Sequence, residues 1–325
     1  MPLLNVGVLG CAAIARRATL PALVADPSVR LVAVASRTGS KAEAVAGEFG
    51  CAAVTGYTAL LDRADVDAVY IPLPPALRFE WVAKALAAGK HVLAEKPLCV
   101  TYEEARHLVS AARGAGLLLM ENFAFLRHSQ HATARRLIEE GAIGEPRSLT
   151  AEFGFPPRPA PDIRYQAELG GGALLDAGVY TLRAAGLYLG SDVTVAGASL
   201  RHDAATGVDL GGAALLRSPD GRTAHVSFGF DRSYRNICSV WGSEGGITLS
   251  RAFSPPASHR PSLRIERQDR TEEITLPADD QFAAVVAGFA STILEGGDMT
   301  GLGADILRQA ALVAAVREAA SDGGR

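Results

Sequence analysis

The N-terminal part of the chain alternates short apolar runs with segments of helical periodicity. The apolar runs predict strands at Leu3–Leu9, Leu31–Ala35, Val66–Ile71, His91–Ala94 and Leu117–Met120. Between them, helices are predicted at Ile14–Val24, Lys41–Phe49, Phe79–Ala88 and Tyr102–Arg113, the last with a Thr101 and Glu104 capping box. Strands that are apolar throughout and alternate with helices are typical of a parallel sheet covered on both faces. Such a doubly wound domain binds nucleotides at the carboxyl ends of its strands.

The pattern changes after residue 122. A helix is expected near Ala132–Glu139, then a Pro-rich stretch, and then Gly170–Gly172 leading into a helix that carries Asp176 and Tyr180. Strand-like runs follow at Val193–Leu200, Gly212–Leu216, Thr223–Phe230, Ile237–Trp241, Ile247–Leu249, Leu263–Glu266 and Glu273–Leu276, before helices near Gln281–Leu294 and Ala304–Ala319. Consecutive strands predict an open, mainly antiparallel sheet. We therefore predict an α/β fold: a Rossmann dinucleotide-binding domain over residues 1–122, then an α+β domain over residues 123–325 for substrate binding and oligomerisation.

Composition narrows the class of protein. The net charge of −3 gives no reason to expect a nucleic-acid or anionic-membrane partner. The four cysteines are scattered, with no CxxC pair, which argues against a disulfide framework or a metal site and fits a reducing cytoplasm. From the sequence we expect neither a membrane-spanning segment nor a signal peptide. Because only four residues are lysine, Lys41, Lys84, Lys90 and Lys96, a lysine at a strand end calls for an explanation.

The first strand leads into a candidate dinucleotide site. Gly10, Cys11, Ala12, Ala13 and Ile14 stand where a GxGxxA fingerprint would place its turn, with alanine in place of the middle glycine. Such a turn lets the amides of a helix N-terminus approach a pyrophosphate. An ordinary strand–turn–helix is the alternative, but a second strand ending about 25 residues later favours the cofactor site.

The end of that second strand bears on the choice of cofactor. An NAD site usually carries an acidic residue there to hold the ribose 2′-hydroxyl. No carboxylate occurs from Leu31 to Ala42; Ser36 and Arg37 could instead bind a 2′-phosphate. We predict NADP preference, against the alternative that Arg37 is only a solvated loop arginine.

A lysine ends another strand of the predicted sheet. Glu95, Lys96 and Pro97 follow His91–Ala94, so Lys96 is expected at the crevice where nicotinamide and substrate would meet. An ammonium there can donate a proton to a ketone oxygen as hydride arrives. The alternative is an ordinary surface lysine.

Three motifs resemble the glucose–fructose oxidoreductase/inositol dehydrogenase family: GVLGCAAIA at the start, AEKPL at residues 94–98 and GGGALLDAGVY at residues 170–180. The resemblance covers essentially the whole chain. It implies that Lys96, with Glu95 behind it, contacts both substrate and nicotinamide. It also implies an Asp and a His four residues apart on one helix face near the substrate; here these positions are Asp176 and Tyr180.

Tyr180 departs from the family pattern. A histidine accepts a proton near neutral pH and suits alcohol oxidation, whereas a tyrosine hydroxyl, with an ordinary pKa near 10, is the better donor. This favours a reductase. A family histidine is also replaced, by Arg78. Longer segments, among them EKPLCVTYEEA and ENFAFLRHSQH, resemble nucleotide-sugar 3-ketoreductases of deoxysugar biosynthesis. That resemblance implies NADPH-dependent reduction of a dTDP-linked 3-keto (or 3,4-diketo) 2,6-dideoxyhexose, with Lys96 and Tyr180 catalytic.

Two other functions stay open: a polyol or free-sugar dehydrogenase of the same family, and a dinucleotide-binding regulator without catalysis. Further site residues are predicted. Leu73, Pro74 and Asn122 are expected to contact the cofactor, while Arg164 and Tyr165 are expected at the substrate, although a structural ion pair of Arg164 is an equal alternative. Trp81 and Trp241 are expected in the core. An open sheet leaves one face to cover, so a homo-oligomer, dimer or tetramer, is predicted.

Overall fold

The computed structural model describes residues 2–322. The chain forms two compact units. One runs to Phe123 and also contains Phe282–Leu307; the other comprises Ala124–Gln281 and the chain from Arg308 onward. The predicted single boundary near residue 122 does not include the return of Phe282–Leu307 to the first unit.

The first unit is built on a parallel sheet of six strands. These are β1 (Leu4–Leu9), β2 (Val29–Ser36), β3 (Ala52–Thr55), β4 (Ala68–Ile71), β5 (His91–Glu95) and β6 (Leu119–Asn122). Their order across the sheet is β3-β2-β1-β4-β5-β6, and every pairing is parallel. The order reverses direction between β1 and β4, which is where doubly wound sheets bind their ligands. The predicted Rossmann fold is confirmed.

The helices of this unit are α1 (Leu20–Ala25), α2 (Gly39–Phe49), α3 (Tyr57–Leu61), α4 (Pro75–Ala87), α5 (Tyr102–Ala115) and the returning α8 (Gln281–Leu294). The capping box of α5 is present: the Thr101 side chain accepts from the Glu104 amide, and the Glu104 carboxylate accepts from the Thr101 amide. β4 is buried at all four positions, as an apolar central strand should be.

Two local features of the first unit differ from the prediction. β3, at the sheet edge, was not predicted because most of its side chains are exposed and give no apolar signal. The helix predicted over Ile14–Val24 is not regular, since Ala15–Thr19 forms a π-helical turn before α1. A π-turn inserts one residue into the helical repeat and shifts every side chain after it.

The second unit contains an eight-stranded sheet. Its strands are β7 (Pro146–Gly154), β8 (Thr194–His202), β9 (Asp209–Arg217), β10 (Thr223–Gly229), β11 (Arg235–Gly242), β12 (Gly245–Ser250), β13 (Ser262–Arg267) and β14 (Thr271–Thr275). The order is β14-β13-β12-β11-β7-β10-β9-β8, antiparallel except for the β7–β10 pair. The open, mainly antiparallel sheet is thus confirmed. The central strand β7 was not predicted.

Helices α6 (Ser129–Glu139) and α7 (Val179–Leu189) belong to this unit, with a π-helical turn at Leu174–Gly178 directly before α7. α9 (Thr300–Asp322) begins in the first unit and ends in the second. α7 packs on β7 and β10, which covers one face of the sheet. Trp241, expected in the core, is 69% exposed on β11, so that expectation is wrong. No helix in the described part of the chain combines the length and the apolarity needed to cross a membrane.

Candidate active site

The turn after β1 has the conformation that a dinucleotide loop requires. Gly10 has a φ of 121°, and a Cβ at this position would lie 3.0 Å from the Leu73 side chain. Any other residue would therefore be strained and crowded there. Helical conformation begins at Ala13, immediately after Cys11 and Ala12. The first amides of a helix have no partner within the helix and carry its positive dipole end, which suits a pyrophosphate.

The end of β2 holds the two residues predicted to select NADP. Ser36 is buried, and its hydroxyl oxygen accepts a hydrogen bond of 3.2 Å from the Thr38 amide. Arg37 is exposed and lies beside the hydroxyl of Tyr57. Burial raises the pKa of Tyr57, and the charge of Arg37 together with a hydrogen bond between the two side chains opposes that rise.

A buried hydrogen-bonded network lies at the end of β5. The Glu95 carboxylate accepts from the Tyr70 hydroxyl and from the Asn122 amide nitrogen, both at 2.7 Å. Thr19 in turn donates to the Tyr70 oxygen at 3.1 Å. Burial, and secondarily the Glu95 charge, raise the pKa of Tyr70 well above its ordinary value. The network fixes the residue that precedes Lys96.

Asn122 shows that this strand end fits a cofactor. Because its amide nitrogen donates to Glu95, its Oδ1 is identified as the acceptor atom. This Oδ1 is buried and has no hydrogen-bond partner among the described residues. An unsatisfied buried acceptor in a native site calls for a donor from outside the chain, such as a carboxamide N–H. Together with the Gly10 turn, it fits a bound nicotinamide dinucleotide.

The residues after Lys96 are held as well. The Leu98 amide donates to the Glu121 carboxylate at 2.7 Å, so β6 supports the Lys96 segment through two side chains, Glu121 and Asn122. Sequence reasoning did not identify Thr19, Tyr70 or Glu121. Their only signal was a polar side chain within or beside a buried segment, which many structural residues share.

The second unit brings two predicted substrate residues together. Arg164 Nε donates to Asp176 at 2.6 Å, and Arg164 Nη1 donates to Asp162 at 3.1 Å. Arg164 therefore forms the ion pair that was the alternative to a substrate contact. About a quarter of each of the Arg164 and Asp176 side chains is exposed (26% and 27%), which leaves both reachable. The Tyr165 hydroxyl accepts from the Arg158 amide at 3.0 Å.

Tyr180 lies among aromatic rings. Its ring centroid is 5.3 Å from that of Phe153 and 5.9 Å from those of Phe125 and Phe253. The edge-on contact with Phe153 is a favoured aromatic geometry. Asp176 lies in the π-turn and Tyr180 in α7, so the segment between them is not a regular α-helix.

A buried histidine stands behind this aromatic cluster. The His131 ring lies edge-on to Phe125 at 5.1 Å. Its Nε2 hydrogen-bonds the Ala252 carbonyl at 2.7 Å and its Nδ1 the Tyr188 hydroxyl at 2.9 Å. A carbonyl only accepts, so Nε2 carries the proton and Nδ1 accepts. Burial lowers the pKa of His131 to about 4.

Comparison with known proteins agrees with this architecture. Residues 4–123 match a model described as "Oxidoreductase family, NAD-binding Rossmann fold", and residues 131–248 match one described as "GFO/IDH/MocA C-terminal domain". The chain belongs to the GFO/IDH/MocA oxidoreductase family. The expected resemblance is thereby confirmed.

Individual members of the GFO/IDH/MocA family match along nearly the whole chain. A dTDP-3,4-didehydro-2,6-dideoxy-alpha-D-glucose 3-reductase from Streptomyces violaceoruber is 55% identical over 98% of this chain and 95% of that protein. A 3-ketoreductase from Actinomadura kijaniata, solved with NADP and TDP-benzene, is 51% identical with a TM-score of 0.96, covering 98% of both chains. Variants of that enzyme were also solved, with a lysine replaced by alanine or glutamate and a tyrosine by phenylalanine.

A more distant relative uses a free sugar. D-xylose 1-dehydrogenase (NADP(+)) 2 from Haloferax volcanii is 34% identical over 89% of each chain.

Proposed function

We propose that the protein reduces the 3-keto group of a dTDP-linked 3-keto (or 3,4-diketo) 2,6-dideoxyhexose with NADPH. One observation carries the proposal. Full-length relatives at 55% and 51% identity are named for this same reduction. The reductase direction also follows from the residues, because Tyr180 replaces the histidine that would accept a proton in alcohol oxidation.

Lys96 is the proposed proton donor. NADPH, when bound, supplies the hydride to the carbonyl carbon. The Lys96 ammonium gives a proton to the 3-oxygen as the negative charge develops there. Glu95, fixed by Tyr70 and Asn122, holds the strand end from which Lys96 extends. A positioned donor of this kind accelerates proton transfer typically 10²- to 10⁴-fold.

Tyr180 is proposed to support Lys96 in the reaction, with its hydroxyl as a hydrogen-bond donor to the substrate. The aromatic rings around it fix the plane of its side chain and leave it partly exposed. The lysine and the tyrosine replaced in the Actinomadura kijaniata variants lie the same number of positions apart as Lys96 and Tyr180 here. That agreement supports the pairing of these two residues.

The remaining cofactor contacts are proposed from the first unit. Cys11, Ala12, Ala13 and Ile14 offer backbone amides to the pyrophosphate, and Ser36 with Arg37 binds the 2′-phosphate. Leu73 lies against the Gly10 turn, and Pro74 directly precedes α4, so both are proposed at the cofactor. Asn122 Oδ1 is the proposed acceptor for the carboxamide.

The second unit is proposed to bind the substrate and to form the oligomer contacts, with Arg164, Tyr165 and Asp176 at the substrate. Trp241 is 69% and Leu215 is 39% exposed on the open sheet, and apolar exposure of this kind supports a homo-oligomer. We place the protein in cytoplasmic deoxysugar biosynthesis of antibiotics, without nucleic-acid or membrane partners. Sedimentation at micromolar concentration should show a dimer or tetramer; a monomer would contradict this assembly.

A substrate comparison tests the proposed reaction. NADPH oxidation is measured with a dTDP-2,6-dideoxy-3,4-diketohexose generated in situ, in parallel with NADP⁺ reduction on D-xylose and inositol. We expect rapid turnover of the nucleotide sugar alone. The relationship to the D-xylose dehydrogenase supports a second candidate, a free-sugar dehydrogenase. Faster turnover of free sugars would establish that candidate instead.

A further inference from the structure

Arg78 occupies a place that no part of the proposed reaction uses. It lies in the first turn of α4, in the first unit, and only 5% of the residue is exposed. Its Nε donates to the Leu73 carbonyl at 2.7 Å. Its Nη1 donates to the Pro97 carbonyl. One buried guanidinium thus joins the segment after β4 to the segment after β5.

The second of these segments carries Lys96. Pro97 directly follows Lys96, so a donor on the Pro97 carbonyl restrains the peptide next to the proposed proton donor. On either side, Glu95 is held by Tyr70 and Asn122, and the Leu98 amide is held by Glu121. Glu95 before Lys96 and both Pro97 and Leu98 after it are therefore anchored, and Arg78 holds Pro97, the nearest on the C-terminal side.

The first segment touches the dinucleotide turn. The Leu73 side chain lies where a Cβ on Gly10 would meet it, at 3.0 Å. Arg78 fixes the Leu73 backbone and the Pro97 backbone with two nitrogens of one planar group. A rigid guanidinium sets the spacing between its two acceptors, which a flexible ammonium does not. Arg78 therefore fixes the position of the Lys96 segment relative to the segment that contacts the Gly10 turn.

We propose that Arg78 is a positioning residue for Lys96. It acts by fixing the Pro97 and Leu73 carbonyls relative to each other, and so sets the point from which the Lys96 side chain extends toward the carbonyl oxygen. Its importance for turnover rests on the proposed function. Misplacement of a catalytic group by about 1 Å can lower a rate by roughly 10²-fold.

The kinetic test uses Arg78→Lys, which keeps the charge but cannot reproduce the fork. We expect kcat for the keto sugar to fall by roughly 10²-fold, with the Kd for NADPH changed by less than about threefold. Arg106→Lys, at an exposed position of α5, is the matched control and should leave kcat unchanged. An unchanged kcat in Arg78→Lys would overturn the proposal.

A double-mutant cycle separates positioning from general damage. If Arg78 acts through Lys96, Arg78→Lys added to Lys96→Ala should lower the residual rate by less than about threefold. A full further loss of roughly 10²-fold would show that Arg78 acts independently of Lys96, and would overturn the proposal.

A spectroscopic measurement does not depend on turnover. The chain has only four lysines, so ¹³Cε-lysine NMR of the NADP⁺ complex gives four signals, and Lys96→Ala assigns one of them. In Arg78→Gln, which adds no lysine, we expect a shifted Lys96 signal, while the signals of Lys41 and Lys84 stay in place. An unchanged Lys96 signal would contradict the proposal.

The two failures are distinguishable. A wild type that does not reduce the keto sugar, together with a moved Lys96 signal in the variant, would end the proposed function and keep the role of Arg78. Should Arg78→Lys not fold, Arg78→Gln, which buries no charge and is too short to reach both carbonyls, gives the same comparison.

Discussion

Lys96, the proposed proton donor, and Tyr180, the proposed supporting hydroxyl, are held by different kinds of contact. Lys96 follows a buried strand whose last residue, Glu95, accepts hydrogen bonds from Tyr70 and Asn122. Tyr180 is surrounded by phenylalanine rings, with the neutral His131 behind them. A buried carboxylate is held in one orientation by its hydrogen bonds, and removing any one partner leaves a polar group unsatisfied. Packing between aromatic rings, by contrast, persists when one polar atom is removed. The first region should therefore be sensitive to substitution, and the second to pH.

Removing the Glu95 carboxylate should have the largest effect on stability. Glu95→Ala leaves the Tyr70 hydroxyl and the Asn122 amide without their acceptor, at roughly 1–3 kcal/mol each. We expect the free energy of unfolding in urea to fall by about 3 kcal/mol. Glu43→Ala, at an exposed position on α2, should change it by less than about 0.5 kcal/mol. Equal losses of stability in Glu95→Ala and Glu43→Ala would contradict the role of the hydrogen bonds to Glu95.

The second region should respond to acid through His131. Its pKa is about 4 in the folded protein against an ordinary 6.5, so the unfolded chain binds the proton first as pH falls. The neutral, buried His131 stabilises the fold fully above pH 6.5, and this stabilisation is lost progressively as pH falls to 4. The total loss over this range is about 3 kcal/mol. Urea unfolding across this range should show a steeper slope for wild type than for His131→Phe. The exposed His202→Gln should keep the wild-type slope; the same slope in all three proteins would contradict the assignment.

Tyr180→Phe should separate chemistry from packing. The ring contacts with Phe125, Phe153 and Phe253 remain, so we expect the free energy of unfolding to fall by no more than the roughly 0.5–1.5 kcal/mol that one side-chain hydrogen bond contributes. Loss of the hydroxyl should lower kcat by roughly 10- to 100-fold. Tyr102→Phe on α5 serves as the control and should match wild type in both measurements. A Tyr180→Phe enzyme with full kcat would contradict the supporting role of the Tyr180 hydroxyl.

The smallest effect on catalysis is expected from Arg37, which follows β2. Arg37→Ala should reduce the ratio of kcat/KM for NADPH to that for NADH by roughly tenfold or more, since a charge-assisted hydrogen bond to phosphate contributes about 1.5–3 kcal/mol. Arg30→Ala, exposed at the other end of β2, should leave the ratio unchanged. A wild type that uses NADH as well as NADPH would contradict the role of Arg37.

The sequence predicted the first sheet more completely than the second. Strands β1, β2, β4, β5 and β6 are apolar runs because they are covered on both faces. β7 has a weaker apolar pattern. Leu149, Ala151 and Phe153 are buried at alternate positions, but a small alanine between polar neighbours resembles a loop. β3 had no apolar signal, since a sheet edge leaves its side chains in solvent.

The site was predictable where it depends on strand ends and not where it depends on long-range contacts. The turn at Gly10 and the strand end at Glu95 follow from local pattern, and both are where the sequence placed them. The π-turn before α7 and the return of Phe282–Leu307 to the first unit depend on packing between distant segments. In the sequence Arg78 is only a departure from the family pattern, since its two partners, the Leu73 and Pro97 carbonyls, belong to segments that the fold brings together.

The most direct measurement compares wild type with Lys96→Ala in NADPH consumption on in situ generated dTDP-2,6-dideoxy-3,4-diketohexose. NADPH binding is measured on both proteins as the control for folding. We predict rapid consumption by the wild type and a loss of roughly 10²-fold or more in the variant, the contribution expected of one positioned proton donor. Equal rates in the two proteins would contradict the central claim that Lys96 protonates the substrate oxygen.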